Sequence, residues 1–184
     1  MEAAGLPTAK GSSEPIASAD VASALADEIG YPVIIKAAAG GGGIGMQIVE
    51  KADEFEGALK LCQSRAKSAF GDERVFVEKY IQGAQHVEFQ VLADGKKAIH
   101  FGERFCSIQR RHQKLVEEGP WLSDEKRAEI GALVCKGAEA VGYKGLATFE
   151  FLRDANGDFY FLEVNPRVQV CLLYTSDAAD DRCC

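Results

Sequence analysis

No stretch of this sequence is both apolar and long enough to cross a bilayer as a helix, which takes roughly 20 residues. The start, Met1-Glu-Ala-Ala-Gly-Leu-Pro7, lacks the basic opening and apolar run of a secretory signal. Together these point to a cytoplasmic protein without a membrane partner. Positive charge is in deficit as well: 21 Lys and Arg stand against 28 Asp and Glu, a net charge of -7. That balance weighs against a nucleic-acid partner, since gripping a phosphate backbone needs clustered cations. No pair among the six cysteines has metal-ligand spacing. Cys62, Cys106 and Cys135 sit in apolar or strand-like surroundings and read as buried free thiols.

What remains is an ordinary globular composition, 47% apolar and 27% charged over 184 residues, the size of one domain or a domain with a fragment. Residues 1–17 read as an opening loop. Ser18 can cap a helix with Asp20 in its first turn and Val21, Leu25 and Ile29 at helical spacing, stopped by Gly30. Pro32 to Lys36 and Met46 to Glu50 read as strands. Phe55, Leu59, Cys62 and Ala66 stripe a second helix. Val75 to Ile81 reads as a strand. His86 to Leu92 alternates apolar and polar residues like a half-buried strand. Asp94-Gly95 marks a turn, and Ala98 to Phe105 pairs back. Ser107 to Pro120 reads as a polar loop. Ser123 caps a third helix whose core face is Ile130, Leu133, Val134, Ala138 and Val141, ending at Gly142. A last hairpin runs from Ala147 to Val164. Hairpins mixed with helices favour an α+β fold over a doubly wound parallel sheet.

Three clusters carry chemistry. The first is Lys36-Ala-Ala-Ala-Gly-Gly-Gly-Gly-Ile-Gly-Met46. Successive glycines let the backbone turn its N–H groups toward an anion. No Gly-Lys-Ser/Thr closes the loop and no helix follows directly, so it is not a Walker A loop. A strand, a glycine loop and a strand suit a hairpin that folds over phosphates, with Lys36 as a fixed cation, although a plain surface hairpin has the same pattern.

The second cluster is the last hairpin. Asn156-Gly157 favours a two-residue turn. Counting back from it places Glu150 opposite Glu163. Like charges face to face are destabilising unless a cation lies between them. Two carboxylates with substrate phosphates completing the shell suit Mg²⁺. Alternation puts Asn165, Arg167 and Gln169 on the face of Glu163. A solvated edge without a ligand is the competing reading. The third cluster, Gln109-Arg-Arg-His-Gln-Lys114, is a local anion site or a basic surface loop.

These segments resemble the biotin carboxylase family: Gly-Tyr-Pro-Val-Ile-Ile-Lys36 and its glycine loop, Val77-Glu-Lys-Tyr-Ile81, His86-Val-Glu-Phe-Gln-Val, Cys106-Ser-Ile-Gln-Arg-Arg-His-Gln-Lys114 and Thr148-Phe-Glu-Phe with Phe161-Leu-Glu-Val-Asn-Pro-Arg-Val-Gln-Val170. They fall in the family's order over residues 1–170. The resemblance implies an ATP-grasp fold, with a lid subdomain over 18–81 and part of the C-terminal subdomain over 82–170. It implies that Lys36 contacts phosphate, that Gly42 and Gly43 belong to the lid loop, and that Glu78, Lys79, Tyr80 and Ile81 read adenine. His86, Gln109 and His112 match further nucleotide positions. Glu150, Glu163 and Asn165 match the ligands of Mg²⁺ (or Mn²⁺), and Glu150 also counts among the nucleotide-site residues. Lys114 and Val170 match bicarbonate contacts, and Arg167 matches the arginine that stabilises charge on biotin. The implied reaction is ATP- and bicarbonate-dependent carboxylation of biotin through carboxyphosphate. Implied partners are a biotin carboxyl carrier protein or domain and a carboxyltransferase, in a parent protein that is a homo-oligomer.

The sequence also departs from the family. The family's first nucleotide-fold domain and another ATP lysine are expected upstream of Met1. Cys171 stands where the family has an acid that acts as base. From Cys171 to Asp181 the sequence resembles an in-frame reading of a sequencing adapter, so residues 171–184 are expected to be non-native. A fragment of this kind is expected to bind nucleotide at most and to lack catalysis by itself.

Overall fold

The computed structural model describes residues 1–39, 45–110 and 113–168. Gly42, Gly43, His112, Gln169, Val170 and the segment 171–184 lie outside the described residues. The chain forms two compact units, Ala9–Gln82 and a second made of Met1–Thr8 with the chain from Gly83 onward. The opening residues therefore divide between the two.

In the first unit, α1 (Ala19–Ile29) precedes β1 (Val33–Ala37) and β2 (Met46–Val49), followed by α2 (Ala52–Phe70) and β3 (Val75–Lys79). The strands form an antiparallel sheet in the order β2-β1-β3. Residues 10–16 line the outer side of β3: Lys79 donates its N–H to Lys10, Ser12 donates to the Val77 carbonyl, and Ile16 and Val75 exchange bonds. The opening loop thus covers an edge that would otherwise expose unpaired backbone groups. The α2 stripe of Phe55, Leu59, Cys62 and Ala66 is buried as its spacing predicts. In α1 the buried residues are Ala22 and Ala26, while Val21 is exposed. The small residues let the helix lie close to its neighbours, and this displaces the expected Val21-Leu25-Ile29 stripe to the margin.

The second unit is a five-stranded antiparallel sheet in the order β6-β5-β4-β7-β8. Its strands are β4 (Gln85–Asp94), β5 (Ala98–Arg110), β6 (Gln113–Glu118), β7 (Lys144–Arg153) and β8 (Phe159–Asn165), with α3 (Asp124–Ala140) between β6 and β7. Ser123 caps α3 by accepting the Lys126 N–H. Ile130, Val134 and Ala138 pack with Val87, Phe89, Val91, Phe149 and Phe151. Each large apolar side chain among them contributes about 1.5–3 kcal/mol on burial. Val141, at the helix end, is exposed instead. Hairpins and an all-antiparallel connectivity give the expected α+β class.

Two expectations fail here. Ser107–Arg110 and Gln113–Glu118 are strand rather than loop: β5 extends to Arg110 and β6 lies beside it, pairing Ile108 with Val116 and Gln109 with Lys114. The apolar residues of this stretch, Ile108, Leu115 and Val116, are exposed, while Lys114 is tethered by the buried acids Glu88 and Glu150. Nor is β4 half-buried: Glu88 and Gln90 are as inaccessible as Val87 and Phe89.

The last hairpin differs from the count that located it. The turn is not the two-residue Asn156-Gly157 type. Gly157 N–H bonds to the Asp154 carbonyl, Asp154 N–H to that of Asp158, and Gly157 has φ 92°. That is a three-residue loop closed by a left-handed glycine. It shifts the register by one, so Phe151 faces Phe161. A bulge at Leu162 shifts it back, and Glu150 faces Glu163 after all. The expected pair is present, but through two offsets that cancel.

Candidate functional site

Strand pairing lays four charged residues along one rung of the second unit's sheet. Arg104 on β5 faces Glu88 on β4, Glu88 faces Glu150 on β7, and Glu150 faces Glu163 on β8. Three glutamates side by side would repel strongly in a site this dry. The surrounding side chains show how the charge is met. Arg104 donates from Nε and Nη2 to Glu88 Oε1 at 2.9 and 2.7 Å, and its Nε lies 3.3 Å from Glu117 Oε2. Lys114 reaches in from β6 and bridges Glu88 Oε2 and Glu150 Oε1, the latter at 2.8 Å. His86 Nε2 lies 2.8 Å from Glu150 Oε2, a close contact whose angle falls short of a good hydrogen bond. Between Glu150 and Glu163 the bridge is neutral: Asn165 Nδ2 donates to Glu150 Oε1 at 2.8 Å and Glu163 Oε1 at 3.1 Å.

Burial alone would push the Glu150 carboxyl up, but the close contact with His86 and the hydrogen bond and charge of Lys114 outweigh it and hold it at about 2. Burial would lower the Lys114 ammonium, yet its bonds to Glu150 and Glu88 raise it above an ordinary lysine. Lys114 is therefore a fixed cation at neutral pH.

The donor chemistry supports a divalent cation between Glu150 and Glu163. The gap has two hard carboxylates and an amide that can turn its oxygen inward, which is the ligand type Mg²⁺ takes. Among the described residues, two other groups have ligand atoms close together, His86–Glu88–Glu150 and Glu88–Cys106–Glu117. Charge disfavours both. The Lys114 ammonium holds Glu88 and Glu150 together in the first, and Arg104 ties Glu88 to Glu117 in the second. Burial also raises the Cys106 thiol, away from the thiolate a metal would need.

The structure thus brings His86, Lys114, Glu150, Glu163 and Asn165 together. Gln109 folds its amide back onto the Cys106 carbonyl at 2.7 Å. Arg167 is exposed beyond the end of β8, with its N–H on the Asn165 carbonyl. In the first unit Lys36 Nζ lies 2.5 Å from Glu78 Oε2 across β1 and β3. Lys79 points elsewhere, donating to the Gly30 and Tyr31 carbonyls at 2.9 and 3.0 Å. Its ammonium caps the negative end of α1, and its backbone N–H is taken by the Lys10 carbonyl. Tyr80 donates its N–H to Pro32, and Ile81 follows beyond the end of β3.

Sequence reasoning missed Glu88, Arg104, Glu117, Gln90 and Thr148. The available signal was the register itself. Once β4 is paired with β7, Glu88 falls opposite Glu150 and cannot be a solvent-facing residue of little consequence.

Comparison with known proteins shows the family. The family model described as carbamoyl-phosphate synthase L chain, ATP binding domain, matches residues 1–179. The chloroplastic biotin carboxylase 1 of Populus trichocarpa is 50% identical over 173 residues, covering 92% of this chain and 33% of that relative. A Campylobacter jejuni biotin carboxylase solved with β-γ-ATP superposes with a TM-score of 0.89 at 48% identity, covering 98% of this chain and 42% of that one. The biotin carboxylase domain of Hydrogenobacter thermophilus 2-oxoglutarate carboxylase, solved as a dimer with MgADP and bicarbonate, gives 0.87 at 46% identity, over 92% of this chain and 38% of that one. The chain spans about a third of the length of the curated relatives it matches. It belongs to the family of carbamoyl-phosphate synthase L chain ATP-binding domains, with the ATP-grasp fold and sequence character of its biotin carboxylase members.

Proposed function

We propose that this chain carries the metal- and bicarbonate-binding part of a biotin carboxylase. The observation that carries the reading is the Glu88–Glu150–Glu163 rung, with the Lys114 ammonium bridging one gap and a neutral amide bridging the other. Glu150, Glu163 and Asn165 would hold Mg²⁺, which neutralises phosphate charge when bound. Lys114 holds bicarbonate near that centre, with Val170 as a further contact. Lys36 and the lid-loop glycines Gly42 and Gly43 serve the phosphates. Glu78, Lys79, Tyr80 and Ile81 serve the base, and His86, Gln109 and His112 complete the nucleotide contacts. In the longer protein a bicarbonate oxygen attacks the γ-phosphorus of ATP and ADP leaves, giving carboxyphosphate. This breaks down to CO₂ and phosphate, and biotin N1, giving its proton to the freed phosphate, bonds to the CO₂ carbon while Arg167 stabilises the negative charge. A biotin carrier and a carboxyltransferase are the matching partners, and the parent assembles as a homo-oligomer.

By itself the 184-residue chain is proposed to bind nucleotide without turning over ATP in the presence of bicarbonate and biotin. Saturating MgATP stabilises a binding protein by about 3 kcal/mol at a hundredfold excess over Kd. For a chain this size that is a rise in melting temperature of several degrees, taking about 2–4 °C per kcal/mol. A melting temperature indifferent to MgATP would contradict the reading.

A further inference from the structure

We propose that Thr148 is a positioning residue that holds the Arg167 segment to the sheet. The exposed Arg167 follows the last strand, so its backbone must be tethered if its guanidinium is to be held in place. Two tethers are visible among the described residues. Arg167 N–H bonds to the Asn165 carbonyl at 2.8 Å, and Thr148 Oγ1 lies 3.0 Å from the Arg167 carbonyl. Thr148 is fully buried in β7, directly opposite Gln90 on β4 and Asn165 on β8. Its hydroxyl has one proton and two acceptors in reach, the Arg167 carbonyl and Gln90 Oε1 at 3.1 Å.

Gln90 settles where that proton goes. Its amide donates to the Ala147 carbonyl at 2.8 Å, which fixes the group's orientation. Its Oε1 already lies 3.4 Å from Arg104 Nη2. The Arg167 carbonyl is thus the better use of the Thr148 proton, and the 3.1 Å approach to Gln90 Oε1 is then a contact between two acceptors. Arg104 in turn grips Glu88, which holds Lys114. A continuous line of polar contacts therefore runs from the Lys114 ammonium to the Arg167 backbone through Glu88, Arg104, Gln90 and Thr148. Every intermediate is buried. The catalytic meaning of this tether rests on the biotin carboxylase reading of Arg167; the tether itself does not.

Limited tryptic cleavage of the chain reads the tether directly, because the Arg167–Val168 bond is itself a trypsin site. Thr148→Val keeps the shape and removes the proton. Cleavage after Arg167 is expected to accelerate at least tenfold relative to cleavage after Lys144, and Thr148→Ser is expected to restore the wild-type ratio. The Gln90→Met/Thr148→Val double variant removes both buried polar partners together and guards against loss of folding in the single variant; it should show the same selective acceleration. An unchanged ratio in either folded variant, or equal acceleration at both sites, overturns the tether. Nucleotide binding is read separately by melting, so failure of the tether and failure of the biotin carboxylase reading are distinct results.

Discussion

Glu150 meets Lys114, His86 and Asn165 at once, so its protonation changes the charge of the whole cluster. Its carboxyl is held at about 2, as is that of Glu103, where burial is outweighed by Arg127 and the N–H groups of Leu122 and Trp121. Both values lie below the unfolded glutamate value of about 4.3. Their stabilisation is therefore complete above that pH and is lost as pH falls toward 2. Circular dichroism during acid titration should show unfolding across that window, and Glu103→Gln should flatten the acid limb while lowering stability at neutral pH. Lys114→Met is predicted to be far more costly than loss of a surface lysine. It leaves Glu88 and Glu150 buried and facing one another, and breaking a buried pair costs about 3–5 kcal/mol. Urea unfolding measures it; a loss under about 1 kcal/mol, the range of surface pairs, would contradict the bridging role.

At the scale of elements, the α2 stripe and the Phe-rich hairpin could be read from periodicity because their apolar residues all face one way. The last hairpin shows the limit. Asn156-Gly157 located the turn but not its length, since a left-handed glycine also closes three-residue loops. No local pattern announced Leu162 as a bulge. Gly157→Ala tests the loop type: at φ 92° a side chain costs about 1–2 kcal/mol, measurable by thermal unfolding. The hidden rung of acids was illegible for a different reason. The Glu88 and Gln90 alternation looks like a solvent face until Arg104 and Lys114 are placed over it, and they come from strands 14 to 26 residues further on. Packing of α3 on the sheet gives another prediction. A Cβ on Gly131 would lie 2.4 Å from the His100 ring. Gly131→Ala should displace that ring and cost about 1–3 kcal/mol as overpacking does, without altering nucleotide binding.

At the scale of the molecule, the motifs in their order identified the family, and the α+β class followed from hairpins mixed with helices. The joining of Met1–Thr8 to the later unit was not legible. It comes with Phe161 donating its N–H to the Pro7 carbonyl, a contact between distant parts of the chain. A divalent ion between Glu150 and Glu163, binding together with nucleotide, is the centre of the proposed chemistry. Titrating Mn²⁺ by electron paramagnetic resonance, with and without ATP, tests this most directly. Wild-type chain should bind Mn²⁺ more tightly with ATP present, and Glu163→Gln should weaken that binding at least tenfold while remaining folded. Equal Mn²⁺ binding by the two chains would contradict a metal site at this pair.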